Sequence, residues 1–448
     1  MSVFSIISLK NLNTGLDISA EHYHPDKLKI INFLNESNGE KISDIVNSIK
    51  RLYNPQTSEG CPDFPIYDLG AARKHIISPE DAFQEERKSS KKIARGGDVI
   101  VSRLRSYLKQ IAFVPKNVDS IYVSTEFIVL RGKNEIAYLI PFFLSDQIQT
   151  ILTWSREGNE HPRFSEHVLL NLKIPKSILK KKEVLNQKIL SASDLLLSSR
   201  EIYNQTKNLL IQELKLKDIS LDYHLTYTVS FSEVKNGKRY DAEYYQPKYR
   251  QLLRTFSSSG FKVTALDQII EPIRNGFDFR KFEDFGTPYI RVGDVKEGQI
   301  DIDNAARVPI DSNDVKKEIQ LKVGDVLFTR KGSFGNVAVV LKGQENAIIS
   351  SEIMLLRIID SDICPDYLSL FLNSPLGVTQ VEQKIHGDAF YSITQQDLAS
   401  LKIIEAPKEL QEKIKQNSFT RHRKFEQGKS LINEAKEDVE KIFRTEGF

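Results

Sequence analysis

The amino-acid sequence predicts an α/β (α+β) fold made of two tandem copies of one unit, related by a pseudo-two-fold. Two long helices separate the copies and are expected to pair as an antiparallel coiled coil. Three observations carry this. Short motifs recur in the same order at a nearly constant distance. Each copy holds a β-branched run, a polar loop and a second β-branched run. Each copy is followed by a long stretch in which apolar or small residues step by three and four.

The recurrence is specific. Ala20-Glu-His-Tyr-His-Pro25 returns 222 residues on as Ala242-Glu-Tyr-Tyr-Gln-Pro247. Gly97-Asp-Val-Ile-Val-Ser-Arg103 returns 227 residues on as Gly324-Asp-Val-Leu-Phe-Thr-Arg330. Ser124-Thr-Glu126 and Leu130-Arg131 return as Ser350-Ser-Glu352 and Leu356-Arg357, and Leu172-Lys-Ile174 as Leu401-Lys-Ile403. Two long copies fit a tandem duplication, whereas a solenoid needs several short repeats. The units are placed at 1–177 and 220–404, and the helices at 178–219 and 405–448.

Within each copy the elements follow in order. A short amphipathic helix comes first. The runs Asp98-Val-Ile-Val-Ser102 and Asp325-Val-Leu-Phe-Thr329 are strands opened by a Gly-Asp turn. The polar loops Arg103–Lys109 and Arg330–Asn336 follow, then the strands Ile111–Val114 and Val337–Leu341. Helices are expected over Tyr138–Thr153 and Tyr367–Lys384. Residues 178–217 contain no Pro or Gly, and Leu185, Ile189, Ala192, Leu196, Ser199 and Tyr203 form one stripe. Phe425, Gly428, Ile432, Ala435, Val439 and Ile442 form another within 408–445. A helix of about 40 residues spans roughly 60 Å. Such stripes are expected to pack on each other, the alternative being that each packs on its own unit.

Composition narrows the class. The chain has 448 residues, 40% apolar and 27% charged, which supports packed cores. A net charge of +3 permits nucleic-acid binding without requiring it. Two cysteines, Cys61 and Cys364, make no disulfide framework and suit a reducing cytoplasm. The apolar start is too brief for a signal peptide, and no run is long enough to cross a membrane. There is no Gly-x-x-x-x-Gly-Lys-Ser/Thr loop for ATP, no Asn/Asp-Pro-Pro-aromatic motif and no zinc spacing. His22 and His24 face Tyr244 and Gln246 in the second copy, which rules out a duplicated metal site. Pro62-Asp63 with Glu86-Arg-Lys88, and Pro365-Asp366 with Glu382-Gln-Lys384, match a nuclease pattern in spelling only. That chemistry needs its Glu and Lys on a buried strand, and neither segment has strand character.

Three stretches then stand out: Tyr289-Ile-Arg-Val-Gly-Asp294, Gly324-Asp-Val-Leu-Phe-Thr-Arg-Lys-Gly-Ser-Phe-Gly335, and Ser392-Ile-Thr-Gln-Gln-Asp-Leu398 before a Leu-Lys-Ile strand. Together with Gly97–Arg103 and Ser124-Thr-Glu-Phe127 they resemble the specificity subunit of type I restriction-modification systems, over nearly the whole chain. The resemblance implies two target recognition domains, each reading one half of a split site on double-stranded DNA. It implies helices that space the half-sites and dock two methyltransferase subunits. S-adenosylmethionine, ATP and Mg²⁺ belong to partner subunits, and this chain binds no cofactor and is not an enzyme. Restriction subunits are a further partner that the resemblance allows. The first copy departs from the pattern with Arg105-Ser-Tyr-Leu-Lys109 where the second has Gly332-Ser-Phe-Gly335, so the two units are expected to read different bases. The alternative is a scaffold subunit of a related phage-defence complex with minor DNA contact.

Base edges are read by placed donors and acceptors, and phosphates by cations, hydroxyls and amides. In the first copy the candidates are Arg51, Tyr53, Arg103, Arg105, Ser106, Tyr107, Lys109 and Arg163. In the second they are Arg274, Asn275, Arg280, Lys281, Arg330, Lys331, Ser333, Asn336, His386 and Tyr391. Residues shared by both copies, such as Arg103 and Arg330, suit the fold or a phosphate. Those that differ, Arg105, Tyr107, Lys109 and Asn336, suit base reading.

Overall fold

The run Val99-Ile-Val-Ser102 is apolar on both faces, and a strand with that pattern has to be covered on both sides. It becomes an inner strand of a four-stranded antiparallel sheet, in the order Val46–Ser48, Phe127–Gly132, Val99–Ser102, Ile111–Phe113. Val99 and Val101 face a core shared with helices, while Ile100 faces a second core under another sheet. The second copy repeats this residue by residue. Its sheet runs Arg274–Asn275, Ile353–Leu356, Val326–Thr329, Val337–Val339. Val326 and Phe328 face the helical core, and Leu327 faces the other.

This is a computed structural model, and it describes residues 5–6, 19–53, 64–82, 89–216, 221–332, 334–387 and 391–447. The chain divides into two units, Met1–Arg200 with His422–Phe448, and Glu201–Arg421. Each carries a second sheet containing one parallel pair. In the first unit Ile66–Tyr67 runs parallel to Ser120–Ser124, and in the second Thr287–Ile290 runs parallel to Ile348–Ile349. Each also pairs an early strand with a late one, Glu40–Lys41 with Lys173–Ile174 and Val263–Ala265 with Lys402–Ile404. Where the first unit pairs Arg156–Glu157 with Arg163–Phe164, the second has an antiparallel bridge between His386 and Ser392, and among the described residues only the second unit pairs a hairpin like Val295–Lys296 with Gln299–Ile300.

The Gly-Asp repeat has a structural cause. Gly97 and Gly324 sit at φ of 90° and 93°, a conformation that suits glycine. The next residue is a buried aspartate. Asp98 accepts from Arg95 N–H at 2.8 Å and is gripped by Arg131 at 2.8 and 2.6 Å. Asp325 accepts from Lys322 N–H at 2.7 Å and is gripped by Arg357 at 2.8 and 2.7 Å. The repeated Leu-Arg is therefore the partner of the repeated Gly-Asp, and both tie neighbouring strands of the central sheet.

The helical expectations need adjustment. Tyr138–Thr153 is two helices, Leu139–Leu144 and Asp146–Thr153, parted by Ser145 in an extended conformation. Tyr367–Lys384 is likewise Pro365–Asn373 and Pro375–Lys384. Pro375 pushes Ser374 out of the helical region and sets that break. Glu382 and Lys384 thus lie on a helix and not on a strand. Pro62-Asp63, Glu86–Lys88 and Cys61 lie outside the described residues. Among the described residues no three His, Cys, Asp or Glu gather to hold a metal, and no helix is long and apolar enough to cross a membrane.

The long helices run Lys182–Glu213 and Lys408–Thr445. In the first unit Lys188 meets Asp438 at 2.7 Å, while Leu196 lies against Gly428, so the two helices run antiparallel there. Leu185, Ile189 and Ala192 share one core with Ile432, Ala435, Val439 and Phe443, and also with Phe113 and Phe142 of the unit. In the second unit Thr206 accepts from Asn417 at 3.1 Å, and Arg421 lies over the Tyr203 ring, again antiparallel. Leu210 and Leu214 share that unit's core with Leu410, Ile414 and Phe371. The stripes pack on each other and on their units together. The two alternatives drawn from the sequence are combined.

Removing Arg131 would leave the Asp98 carboxylate buried without its partner. Arg131→Met is expected to destabilise the chain by about 3 kcal/mol. Urea unfolding of the variant beside the native chain measures this, and Arg357→Met should behave alike.

Candidate nucleic-acid interface

The polar loop of each unit begins where an inner strand of the central sheet ends. In the first unit it folds into a short turn, Ser106–Leu108, between Arg105 and Lys109, both left-handed at φ 49°. Backbone bonds then seat it against the hairpin that follows. Arg105 N–H donates to Pro162 O at 2.9 Å, and Phe164 N–H donates to Arg103 O at 3.1 Å.

Glu126 organises the side chains there. It accepts from Arg163 at 2.8 and 3.0 Å and from Arg103 at 3.0 Å. The Arg163 hydrogen bonds, with those of Arg103, hold its carboxyl below the ordinary value of 4.5 although burial opposes this. Both guanidinium groups stay 42% exposed, so each has donors left for a ligand. Arg105 approaches His161 Nδ1 at 3.4 Å, and Arg156 lies 5.5 Å from the Tyr107 ring, itself 52% exposed. Behind this surface Lys92 is buried and donates to Phe127 O at 2.7 Å. Burial pushes its pKa down, and it feels the charges of Glu166, Arg103, Glu126 and Lys50.

The structure therefore brings Arg103, Arg105, Tyr107 and Arg163 onto one surface. Ser106 belongs to the same loop but is buried, and its hydroxyl faces inward. Lys109 turns aside to Asp146 at 3.7 Å. Arg51 lies over the Tyr53 ring at 5.0 Å on an edge strand, where Tyr53 pairs with Lys91 and Lys91 with Ser124. Arg156 was missed by sequence reasoning. Its partner ring is distant in sequence, and no local pattern marks it.

In the second unit the backbone repeats: Arg330 N–H donates to Glu352 O at 3.0 Å, as Arg103 N–H does to Glu126 O at 3.1 Å. The side chains do not. Arg330 Nε and Glu352 Oε2 are buried without a hydrogen-bond partner, and Lys331 reaches Glu352 only at 3.6 Å. Asn336 donates to Val295 O at 3.1 Å, which commits its amide to the fold. Asn275 is held between Ser351 O at 2.9 Å and Gln395 at 2.6 Å. His386 pairs with Asp397 at 3.0 Å, and Asp397 also accepts from Thr394. The Ser392–Leu398 motif thus orients its neighbours. Arg274, Lys281 and Tyr391 are exposed, and Arg280, 88% exposed, pairs with Asp278. Ser333 lies outside the described residues. Arg291, within the Tyr289–Asp294 motif, stacks at 5.6 Å on the half-exposed Phe282.

Each unit thus presents a partly exposed guanidinium group beside an aromatic ring, Arg156 by Tyr107 in the first and Arg291 by Phe282 in the second, at different places in the repeated fold. Planar guanidinium forks suit phosphate and base edges, and rings add stacking. Comparison with known proteins gives one family match: residues 258–431 fit the type I restriction modification DNA specificity domain. A search of curated proteins finds no relative. Among solved structures the chain is similar to the HsdS subunit from Thermoanaerobacter tengcongensis, at 18% identity over 92% of this chain and 98% of that one, TM-score 0.30. It is similar to the type I restriction-modification S subunit from M. genitalium at 11% identity, covering 92% and 96%, TM-score 0.40. A chain from a type I R-M system assembly shows 18% identity over 91% and 98%, TM-score 0.28.

Glu126 carries a depressed pKa in the folded chain, so the stability it contributes is full above pH 4.5 and fades as pH falls below that. Glu126→Gln is expected to cost about 1 kcal/mol at neutral pH, since its partners are partly hydrated. Melting curves across pH 3 to 7, as a rough range, should show that deficit shrinking toward the acid end.

Proposed function

We propose that both units of the chain read DNA, one half-site each, starting from the match of residues 258–431 to the type I restriction modification DNA specificity domain. The chain is then the specificity subunit of a type I restriction-modification complex. The observation that carries this is the repeat of the central four-stranded sheet's order in the first unit, with its loop seated at the same strand end. Arg103 and Arg163, bridged by Glu126, form a phosphate clamp. Arg105, Tyr107, Arg156 and His161 stand beside it as base readers. In the second unit Arg330 and Lys331 take the clamp position, with Arg274, Arg280, Lys281 and Tyr391 around them. The loops differ in sequence, so the half-sites differ.

The chain supplies the address and its partners the reaction. Two methyltransferase subunits bring S-adenosylmethionine, and restriction subunits bring ATP and Mg²⁺. The complex works in the cytoplasm on double-stranded DNA. The long helices, which pair antiparallel within each unit, set the gap between half-sites.

Phosphate contact makes affinity fall steeply with salt. Lys331→Ala is expected to weaken binding to all sequences and to lower the salt slope by about one, while Arg105→Ala relaxes one half-site by about 1–3 kcal/mol. Binding that ignores salt would refute DNA reading. Lengthening either long helix by about two turns, roughly 11 Å, should widen the tolerated gap by about three base pairs. Competition among duplexes of graded gap length reads this out, and an unchanged gap would refute the spacer role.

A further inference from the structure

The second unit contains a joint between the long helices and the loop 330–336 that no sequence motif marks. At its centre is Arg421, on the helix Lys408–Thr445 and only 7% exposed. Its guanidinium donates to the carbonyl oxygens of Gly298 and Glu297, both at 2.9 Å. It stacks on the Tyr203 ring at 4.0 Å, and Tyr203 belongs to the other long helix, Lys182–Glu213. That helix adds Lys207, whose ammonium meets the Glu297 carboxylate at 2.9 Å and lies 5.1 Å from the same ring. Both helices therefore grip one tight turn, Glu297-Gly298, between the strands Val295–Lys296 and Gln299–Ile300.

The turn is tied to the loop. Gly298 N–H donates to Val337 O at 2.7 Å, and Asn336 Nδ2 donates to Val295 O at 3.1 Å. Asn336 closes the loop and Val337 opens the next strand. Only glycine fits the turn: Gly298 has φ 64°, and a Cβ there would lie 2.9 Å from the Tyr203 ring and within contact of the Arg421 guanidinium.

A buried guanidinium with two carbonyl acceptors and a ring beneath it admits one geometry. Groups that read DNA need such support, since small displacements cost much of their effect. The first unit links its loop to the second long helix differently. Lys109 meets Asp146 at 3.7 Å, and Asp146, 68% exposed, meets Lys436 at 3.0 Å. An exposed pair of this kind contributes little.

We propose that Arg421 is a positioning residue for DNA reading by the second unit. It holds the loop 330–336 in register with the long helices, and so sets how that loop meets the duplex without touching DNA itself. This rests on the reading that the second unit recognises a half-site.

The test uses the full chain assembled with its methyltransferase partners. Arg421→Met keeps the bulk and removes both donors. Discrimination between correct and altered bases should fall by about tenfold at one half-site only, the one also affected by substitutions in the loop 330–336. The other half-site and the salt slope should stay at native values. Arg421→Lys, which keeps the charge but not the planar pair of donors, should fall between. Should Arg421→Met fail to fold, Lys207→Met and Glu297→Gln remove the outer part of the joint, and the same one-sided loss is expected. Unchanged discrimination at both half-sites, or equal loss at both, overturns the proposal. A native complex that selects no split site overturns it together with the DNA reading beneath it, and the native sample alone tells the two failures apart.

Discussion

Each unit depends on one buried ion pair, Asp98 with Arg131 and Asp325 with Arg357. The aspartate stands at the start of an inner strand, after a glycine in a left-handed turn. The arginine stands at the end of the neighbouring strand. A bidentate pair of this kind fixes direction as well as distance. It clamps one end of the sheet and leaves the opposite strand ends, where Arg103 and Arg330 begin the polar loops, outside the clamp. The loop can then change its side chains while the sheet keeps its order. Val99-Ile-Val and Val326-Leu-Phe bury alternate residues in two cores on either side, which holds the register of those strands.

The two units use this frame differently. In the first, Glu126 gathers Arg103 and Arg163, and the hairpin Arg156–Phe164 closes over the loop. In the second, Arg330 Nε and Glu352 Oε2 make no hydrogen bond, and the support comes from the hairpin Val295–Ile300. Around a common central sheet the two loops are thus supported from different hairpins, Arg156–Phe164 in the first unit and Val295–Ile300 in the second.

Much of this was legible in the sequence. The duplication, the inner strands, the loops between them and both long helices follow from period and β-branched runs, helped in the first long helix by the lack of Pro and Gly. The break at Ser145 was not, because a buried apolar run reads as one helix whether or not it turns, whereas Pro375 does mark the break at Ser374. The site was legible as segments and not as contacts. Arg105, Tyr107 and Arg163 stand out in the sequence because cations and a ring crowd a short loop and a hairpin, and the structure places them on one surface. Asn336 was expected to read bases, yet its amide serves Val295, a residue 41 positions away. Arg156 and Arg421 act through rings far along the chain, Tyr107 and Tyr203, and spacing alone cannot reveal such pairs. The stripes were expected to choose between each other and their units. They do both, since a helix face wider than a two-residue seam can serve two neighbours.

The central claim is that two similar units each read their own short stretch of duplex. Selection of bound duplexes from a randomised pool by the assembled complex tests it most directly. We expect two short blocks of fixed sequence, different from each other, parted by a gap of constant length and free composition. A single unbroken block, or no enrichment at all, would contradict it.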